Sequence, residues 1–254
     1  MQVECVDNDA DFFHLEKEWQ ELWSNSMTPS YFLNYHWIRC AWEELRLANQ
    51  MRVFVVRDEN RPVLIAPCMK SRRVYRKLPF RSLSFIEHPE SQIAGMILCR
   101  TADAQQSLKS LMRYLFEEHS SEWDLLSLDK LRSDSKTLEL LQCLRGPGRS
   151  RTEIHASQQA LVVSLRGGWD EYLNHQSARF RKTLRNVTNR VHRLNKVRVT
   201  SYREKASKAA LQKLFSVSDA SWKIGEGVAM TSSPKRMSFF EQLSRTTAMA
   251  DGLW

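Results

Sequence analysis

Apolar residues recur at helical spacing at both ends of this chain and at alternating spacing between them. Phe12, Leu15, Trp19, Leu22 and Trp23 share one face of a helix predicted over residues 9–24, with Asn8 or Asp9 as its cap. After Thr28-Pro29-Ser30, the residues Trp37, Ile38, Ala41, Trp42 and Leu45 mark the buried side of a second helix over 34–47. These aromatic stripes fit core packing first and a ligand groove second. Strands are predicted at 51–57 and 63–69, joined as a hairpin by Asp58-Glu59-Asn60. Residues 70–81, KSRRVYRKLPFR, carry six Lys or Arg and read as a basic connection, either a solvated loop or an anion-binding patch. Short strands are expected near 82–86 and 92–98. Thr101 then caps a helix reaching residue 119, with Leu108, Leu111, Met112 and Leu115 inward. WDLLSL (123–128) is a short apolar strand. Ser133 or Asp134 caps a helix that Gly146-Pro147-Gly148 stops.

Strands are expected next at 151–155 and 160–165, and Gly167-Gly168 opens the second half. A short helix over 169–175 leads into a long one over 177–195. A strand over 196–202 follows, then helices over 205–222 and 234–250, and Leu253-Trp254 read as a strand beginning. The long helix carries the strongest local signal. Phe180, Leu184, Val187, Val191 and Leu194 fall within about 40° either side of one line. Arg181, Lys182, Arg185, Arg193 and Lys196 point to the other side. From Tyr172 to Arg203 there are nine Lys and Arg and no Asp or Glu, against a net charge of +9 for the whole chain, so the remainder sums to zero. Like charges four apart, such as Arg181 and Arg185, repel by about a few tenths of a kcal/mol per pair. A solvated face tolerates that, and an anionic ligand or acidic surface relieves it. Arg179, Arg181, Lys182 and Arg185 are the candidate contacts to an anionic substrate.

Composition narrows the class. Hydrophobic content of 42% with 26% charged residues describes an ordinary globular chain, with eight Trp and eleven Phe to build a core. Five widely spaced cysteines (Cys5, Cys40, Cys68, Cys99 and Cys143) fit reduced thiols in a cytoplasm better than a disulfide framework. The acidic, polar start MQVECVDNDADFF is no signal peptide. A strongly basic balance points to an anionic partner: nucleic acid, a phosphorylated cosubstrate, an acidic polysaccharide or an anionic membrane surface. No apolar run approaches the roughly 20 residues of a membrane helix.

The element order resembles the GNAT acyltransferase fold, a mixed α/β sheet with helices on both faces. FLNYHWIRCAWEEL (32–45), RVFVVRDENRPVLIAPCM (52–69) and WDLLSLDKLRSDSKTLELL (123–141) are similar to the N-terminal half of the CelD-type (cellulose biosynthesis) GNAT acetyltransferases. LVVSLRGGWDEYLNHQSARFRKTLRNVTNRVHRL (161–194) is similar to the opening of that family's second half, and Trp222 falls where the family tends to carry a Trp after a helix. The resemblance implies two GNAT-type folds in tandem, as in the related Fem aminoacyltransferases. One GNAT-like copy would be complete over 1–155, and a second acetyltransferase domain would begin over 156–254. It implies acetyl-CoA or another acyl-CoA as cosubstrate, bound by the second fold, an amine or hydroxyl acceptor, and a role in polysaccharide or cell-envelope biosynthesis. Trp222 joins the basic residues as an implied substrate contact. The family's second half continues for four or five more strands and a helix, so the chain reads as C-terminally truncated, inactive as given and prone to associate.

The residues themselves say less about catalysis. A GNAT domain grips the CoA pyrophosphate on backbone N–H groups at a helix N-terminus, reached through a glycine-bearing loop. The corresponding junction of the first half, Leu98-Cys-Arg-Thr-Ala-Asp103, has no glycine, and Asp103 would repel a phosphate. CoA is therefore not expected in the first half. There is no Gly-x-Ser-x-Gly elbow, and no Cys or His spacing that suggests a metal site. His175 and His192 read as surface or packing residues. Glu226, in a loop, is a candidate base for amine deprotonation. Two other classes stay open: a nucleic-acid or tRNA-binding protein using both basic segments, and a non-catalytic remnant. The former lacks any recognised nucleic-acid motif. A salt titration with tRNA and duplex DNA separates it: steep loss of affinity with salt supports phosphate binding, and flat, weak binding excludes it.

Overall fold

The computed structural model describes residues 1–75, 77–143, 151–156, 159, 163, 166–194 and 208–245. They form two compact units, one of the described residues up to Glu153 together with 208–245, the other of those from Ile154 to 194.

The first unit is a six-stranded mixed sheet between two helical layers. Its strands are β1 (Gln2–Val6), β2 (Gln50–Asp58), β3 (Arg61–Tyr75), β4 (Leu78–Phe85), β5 (Ile97–Leu98) and β6 (Leu125–Ser127). Their order is β1-β2-β3-β4-β6, with β5 paired to β3. All pairs are antiparallel except β4 with β6, where Ser82, Leu83 and Ser84 lie opposite Leu125, Leu126 and Ser127 in parallel register. The β2–β3 turn is built as its sequence demands. Glu59 and Asn60 both take positive φ, 45° and 64°, the conformation of a two-residue hairpin loop that matches strand twist.

Helices α1 (Asp9–His14), α2 (Glu16–Ser24) and α3 (Tyr35–Leu45) cover one face of the sheet, and α4 (Ala104–Glu117) and α5 (Lys136–Cys143) cover the other. Four tryptophans hang in the first layer by their ring N–H. Trp19 donates to the Leu33 carbonyl at 2.9 Å, Trp23 to Ser30 O at 2.7 Å, Trp37 to Ser91 Oγ at 2.8 Å and Trp42 to Asp9 Oδ1 at 2.8 Å. Each thus buries a large apolar body while its one donor stays satisfied. The aromatic stripes are core, not a groove. The predicted 9–24 helix breaks at Leu15, and Asn8 caps its first piece by accepting from the Asp11 N–H.

Several expectations need correcting. Residues 70–75 and 78–81 are not a loop: they are the outer arms of β3 and β4, which pair from Cys68↔Phe85 out to Tyr75↔Leu78. Beyond the reach of β2 and β6 this ribbon meets no helix layer, so it carries no alternating apolar signal. The N-terminal strand β1 is not among the sequence expectations, and only Val6 of its five residues is buried, so it carries no alternation of buried and exposed positions. Asp103, not Thr101, caps α4, accepting from the Gln106 N–H at 2.9 Å. Ser135, rather than Ser133 or Asp134, caps α5, accepting from the Leu138 N–H at 3.2 Å. Residues 151–155 form no strand. The strand predicted over 196–202, the Gly146-Pro147-Gly148 stop and Leu253-Trp254 lie outside the described residues, as does all of 160–165 but Val163.

After the second unit's helices, α6 (Gly168–Asn174) and α7 (Ala178–Arg193), the chain adds α8 (Lys208–Asp219) and α9 (Pro234–Arg245) to the first unit. Phe239 and Leu243 of α9 are buried in the same core as Trp37 and Ile38, with the Phe239 ring edge-on to Trp37 at 5.1 Å. The expected second domain over 156–254 includes this helix, whereas its packing is with the first unit. Phe239→Ala is expected to cost the first unit about 3–5 kcal/mol in urea unfolding. A loss under about 1 kcal/mol would mean that α9 is not part of this core.

Candidate functional site

The parallel pair decides where chemistry can gather. Two adjacent parallel strands send both carboxyl ends, and the loops that follow them, to the same edge of the sheet. Here those are the loop after β4, 86–96, and the loop after β6, 128–135. β4 and β5 are in effect one strand: Ile86 N–H donates to Pro67 O at 2.7 Å and Cys99 N–H to Val63 O at 2.9 Å, so pairing along β3 resumes after the excursion. The two loops touch. Ala94 N–H donates to Lys130 O at 3.2 Å, and the Lys130 ammonium lies 3.7 Å from Glu87 Oε1. Lys130 holds φ at 56°, a left-handed conformation that costs a non-glycine residue some strain.

Glu87 is the chemically notable group. It is half-buried, and its Oε2 is buried without a hydrogen-bond partner. Burial pushes its carboxyl above the ordinary value, against the pull of Lys130, and Asp129 adds to the rise. Two buried serines on β4, Ser82 and Ser84, also carry hydroxyls with no partner. Beside these loops lies a cleft of about 50 Å³ walled by Thr28–Ser30, Leu33, residues 93–96, Leu131 and Thr137. That space holds a water or two, far below the roughly 300 Å³ and more of a ligand site. Glu87 stands at the root of the same loops, outside the cleft wall.

A polar brace fixes the excursion. His88 is 2% exposed, and its Nδ1 accepts from the Glu90 N–H at 3.1 Å. Nε2 must then carry the proton, which it donates to Glu44 Oε2 of α3 at 2.9 Å. The ring stacks flat on Phe239 at 3.6 Å, and Glu90 pairs with Arg236 of α9. With both nitrogens engaged and no exposure, His88 positions the loop and does not shuttle protons. Burial lowers its pKa, opposed by Glu44.

The residues singled out from sequence fall elsewhere. Arg179, Arg181, Lys182 and Arg185 are all exposed on α7, which Ser177 caps by accepting from the Phe180 N–H. Arg181 is engaged: its Nη1 donates to the Gln176 carbonyl at 2.8 Å and to Asn174 O at 3.3 Å, closing the end of α6. Trp222 is 68% exposed on a single turn in the other unit, and Glu226 is exposed beyond it. Of the six cations in 70–81, Lys70 is tied to Glu122 at 3.0 Å and Arg81 to Asp124 at 2.6 Å, while Arg72, Arg73 and Lys77 are exposed. Burial would raise the Glu122 carboxyl, but Lys70 and Arg52 hold it down at about 2. Asp103 puts a carboxylate on the α4 N-terminus, the place a phosphate would need. Glu87, His88 and Lys130 escaped sequence reading because their roles come from loops joined only by the fold. Among the described residues no His, Cys, Asp and Glu cluster could hold a metal ion, and no helix is long and apolar enough to cross a membrane.

No protein-family model and no curated protein matches the chain. Among solved structures it is similar in part to a ribosomal-protein-alanine N-acetyltransferase from Brucella melitensis biovar Abortus 2308, at 9% identity and a TM-score of 0.36 over 62% of this chain and 100% of that one. A GNAT family acetyltransferase from Staphylococcus aureus gives 10% and 0.36 over 63% and 100%. An acetyltransferase from Trypanosoma brucei gives 15% and 0.37 over 63% and 100%. The overlap with this chain is partial in each case.

The brace makes a pH-dependent contribution with a definite sign. Burial lowers both His88 and His36. The unfolded chain therefore binds protons first as pH falls, so their contribution is full above about 6.5 and is lost through the lower folded values. The melting temperature is expected to drop between about pH 7.5 and 5, above the range in which Glu122 titrates. His88→Gln should start lower and fall less. An unchanged slope in the variant would remove His88 from the account.

Proposed function

We propose that this chain is an acyltransferase of the GNAT type, moving an acyl group from acetyl-CoA or another acyl-CoA to an amine or hydroxyl. The observation that carries the reading is the strand order: four antiparallel strands, then β6 added parallel to β4, so that Glu87 and Lys130 meet where the two carboxyl ends converge. Glu87 takes the proton from the acceptor as its N or O bonds to the acyl carbon; the C–S bond breaks, and CoA leaves as the thiolate and takes a proton from solvent. A carboxylate raised by burial is a better base near neutrality than an exposed one, and such proton transfer contributes about 10²–10⁴-fold to rate. Backbone amides polarise the thioester, and positioning supplies the rest.

The division of labour proposed is a first GNAT-like domain over 1–155 and a second beginning at 156, with α9 folded back on the first. Asp103 already occupies the α4 N-terminus and the small cleft of the first unit cannot hold CoA, so neither is proposed as the CoA site. Arg179, Lys182 and Arg185 are the proposed contacts to an anionic part of the substrate, and Trp222, in the first unit, is a separate proposed substrate contact. A polysaccharide or cell-envelope acceptor follows from the CelD-type resemblance alone.

Melting the chain with and without acetyl-CoA, together with an acyl-transfer assay, tests this. A CoA-dependent rise, with transfer that falls at least about tenfold in Glu87→Gln, is expected. No shift would overturn the acyltransferase reading. A shift with undiminished transfer by Glu87→Gln would overturn only the assignment of the base.

A further inference from the structure

The second unit leaves an apolar seam in water. On α7, Phe180 is 40%, Val187 53% and Leu194 56% exposed, although their spacing places them on one line of the helix. The seam continues onto α6. Tyr172 meets Phe180 edge-to-face at 6.4 Å and stacks on Trp169 at 5.5 Å, and Trp169 is 56% exposed. At 100° per residue, Arg179 and Arg190 flank the seam on one side at roughly 80–100°, and Arg181 does so on the other. Between Tyr172 and Leu194 there is no acidic residue.

Charge and apolarity together choose the occupant. A second copy of this helix would bury the seam but bring two uncompensated cationic faces together. A nucleic acid would neutralise the cations and leave the seam wet. An anionic bilayer surface satisfies both at once: the seam enters the acyl boundary while flanking arginines reach the headgroups, and aromatic residues such as Trp169 sit at that level. We infer that α6 and α7 bind peripherally to membranes carrying anionic lipid, lying in the interface plane. This deepens the proposal that α7 contacts an anion and is independent of acyl transfer.

Co-sedimentation of the full chain with vesicles tests it. One set is phosphatidylcholine alone, the other phosphatidylcholine with about 30% phosphatidylserine. Binding is expected to be at least about tenfold stronger to the anionic set, since each basic residue at such a surface is worth roughly fivefold. Val187→Glu with Val191→Glu should abolish it, the circular dichroism spectrum being unchanged. Arg179→Gln with Arg190→Gln should weaken it by about tenfold or more and flatten its salt dependence. Should the seam variant unfold, the arginine pair and the comparison of the two vesicle sets decide. Equal binding to both sets, or none to either, would overturn the membrane assignment. So would tight tRNA binding that the seam substitution leaves untouched, and that result would keep α7 as an anion-binding helix.

Discussion

β3 sets the register of the first unit. Its fifteen residues pair with β2 over Arg61–Lys70, with β5 at Leu64 and Ile65, and with β4 over Cys68–Tyr75. A strand paired on both edges along its middle, at Leu64 and Ile65 and over Cys68–Lys70, cannot slip by one residue without turning every side chain to the wrong face. Ile65 and Met69 face the α1–α3 layer, and Leu64, Ala66 and Cys68 face α4 and α5. The two cores on either side of the sheet are therefore fixed by one strand.

That constraint also creates the candidate site. β4 and β5 take consecutive places along β3, so the residues between them must leave the sheet and return. The excursion would be an open loop were it not anchored. His88, Ser91 and Glu90 tie it to α3 and α9 through Glu44, Trp37 and Arg236. Once it is held, Glu87 is kept beside Lys130 in a partly dry setting, with one carboxylate oxygen buried and without a hydrogen-bond partner. α9 thus serves the site by packing: its Phe239 forms the floor under the His88 ring.

Much of this architecture was legible in the sequence where period and punctuation agreed. The helix start near Asn34, the Trp37–Leu45 stripe and the Glu59-Asn60 turn each have a local cause and each appears as read. The cationic helix did too, down to Ser177 at its start. What stayed hidden depended on partners far along the chain. Lys70 and Arg81 look free until Glu122 and Asp124 arrive from residues about fifty and forty further on. Arg181 reads as a ligand contact, yet it closes the turn before its own helix. Phe239 gives no sign in its own neighbourhood that it belongs with Trp37. Glu87 is one glutamate among many until burial and a neighbouring loop single it out.

The most direct test of this account is the titration of Glu87 itself, followed by carbon-detected NMR of its side-chain carboxyl across acidic to neutral pH. The account requires a midpoint above that of exposed glutamates, and a return toward the ordinary value when His88→Gln loosens the excursion. A Glu87 that titrates like a surface glutamate in the unaltered chain would contradict it.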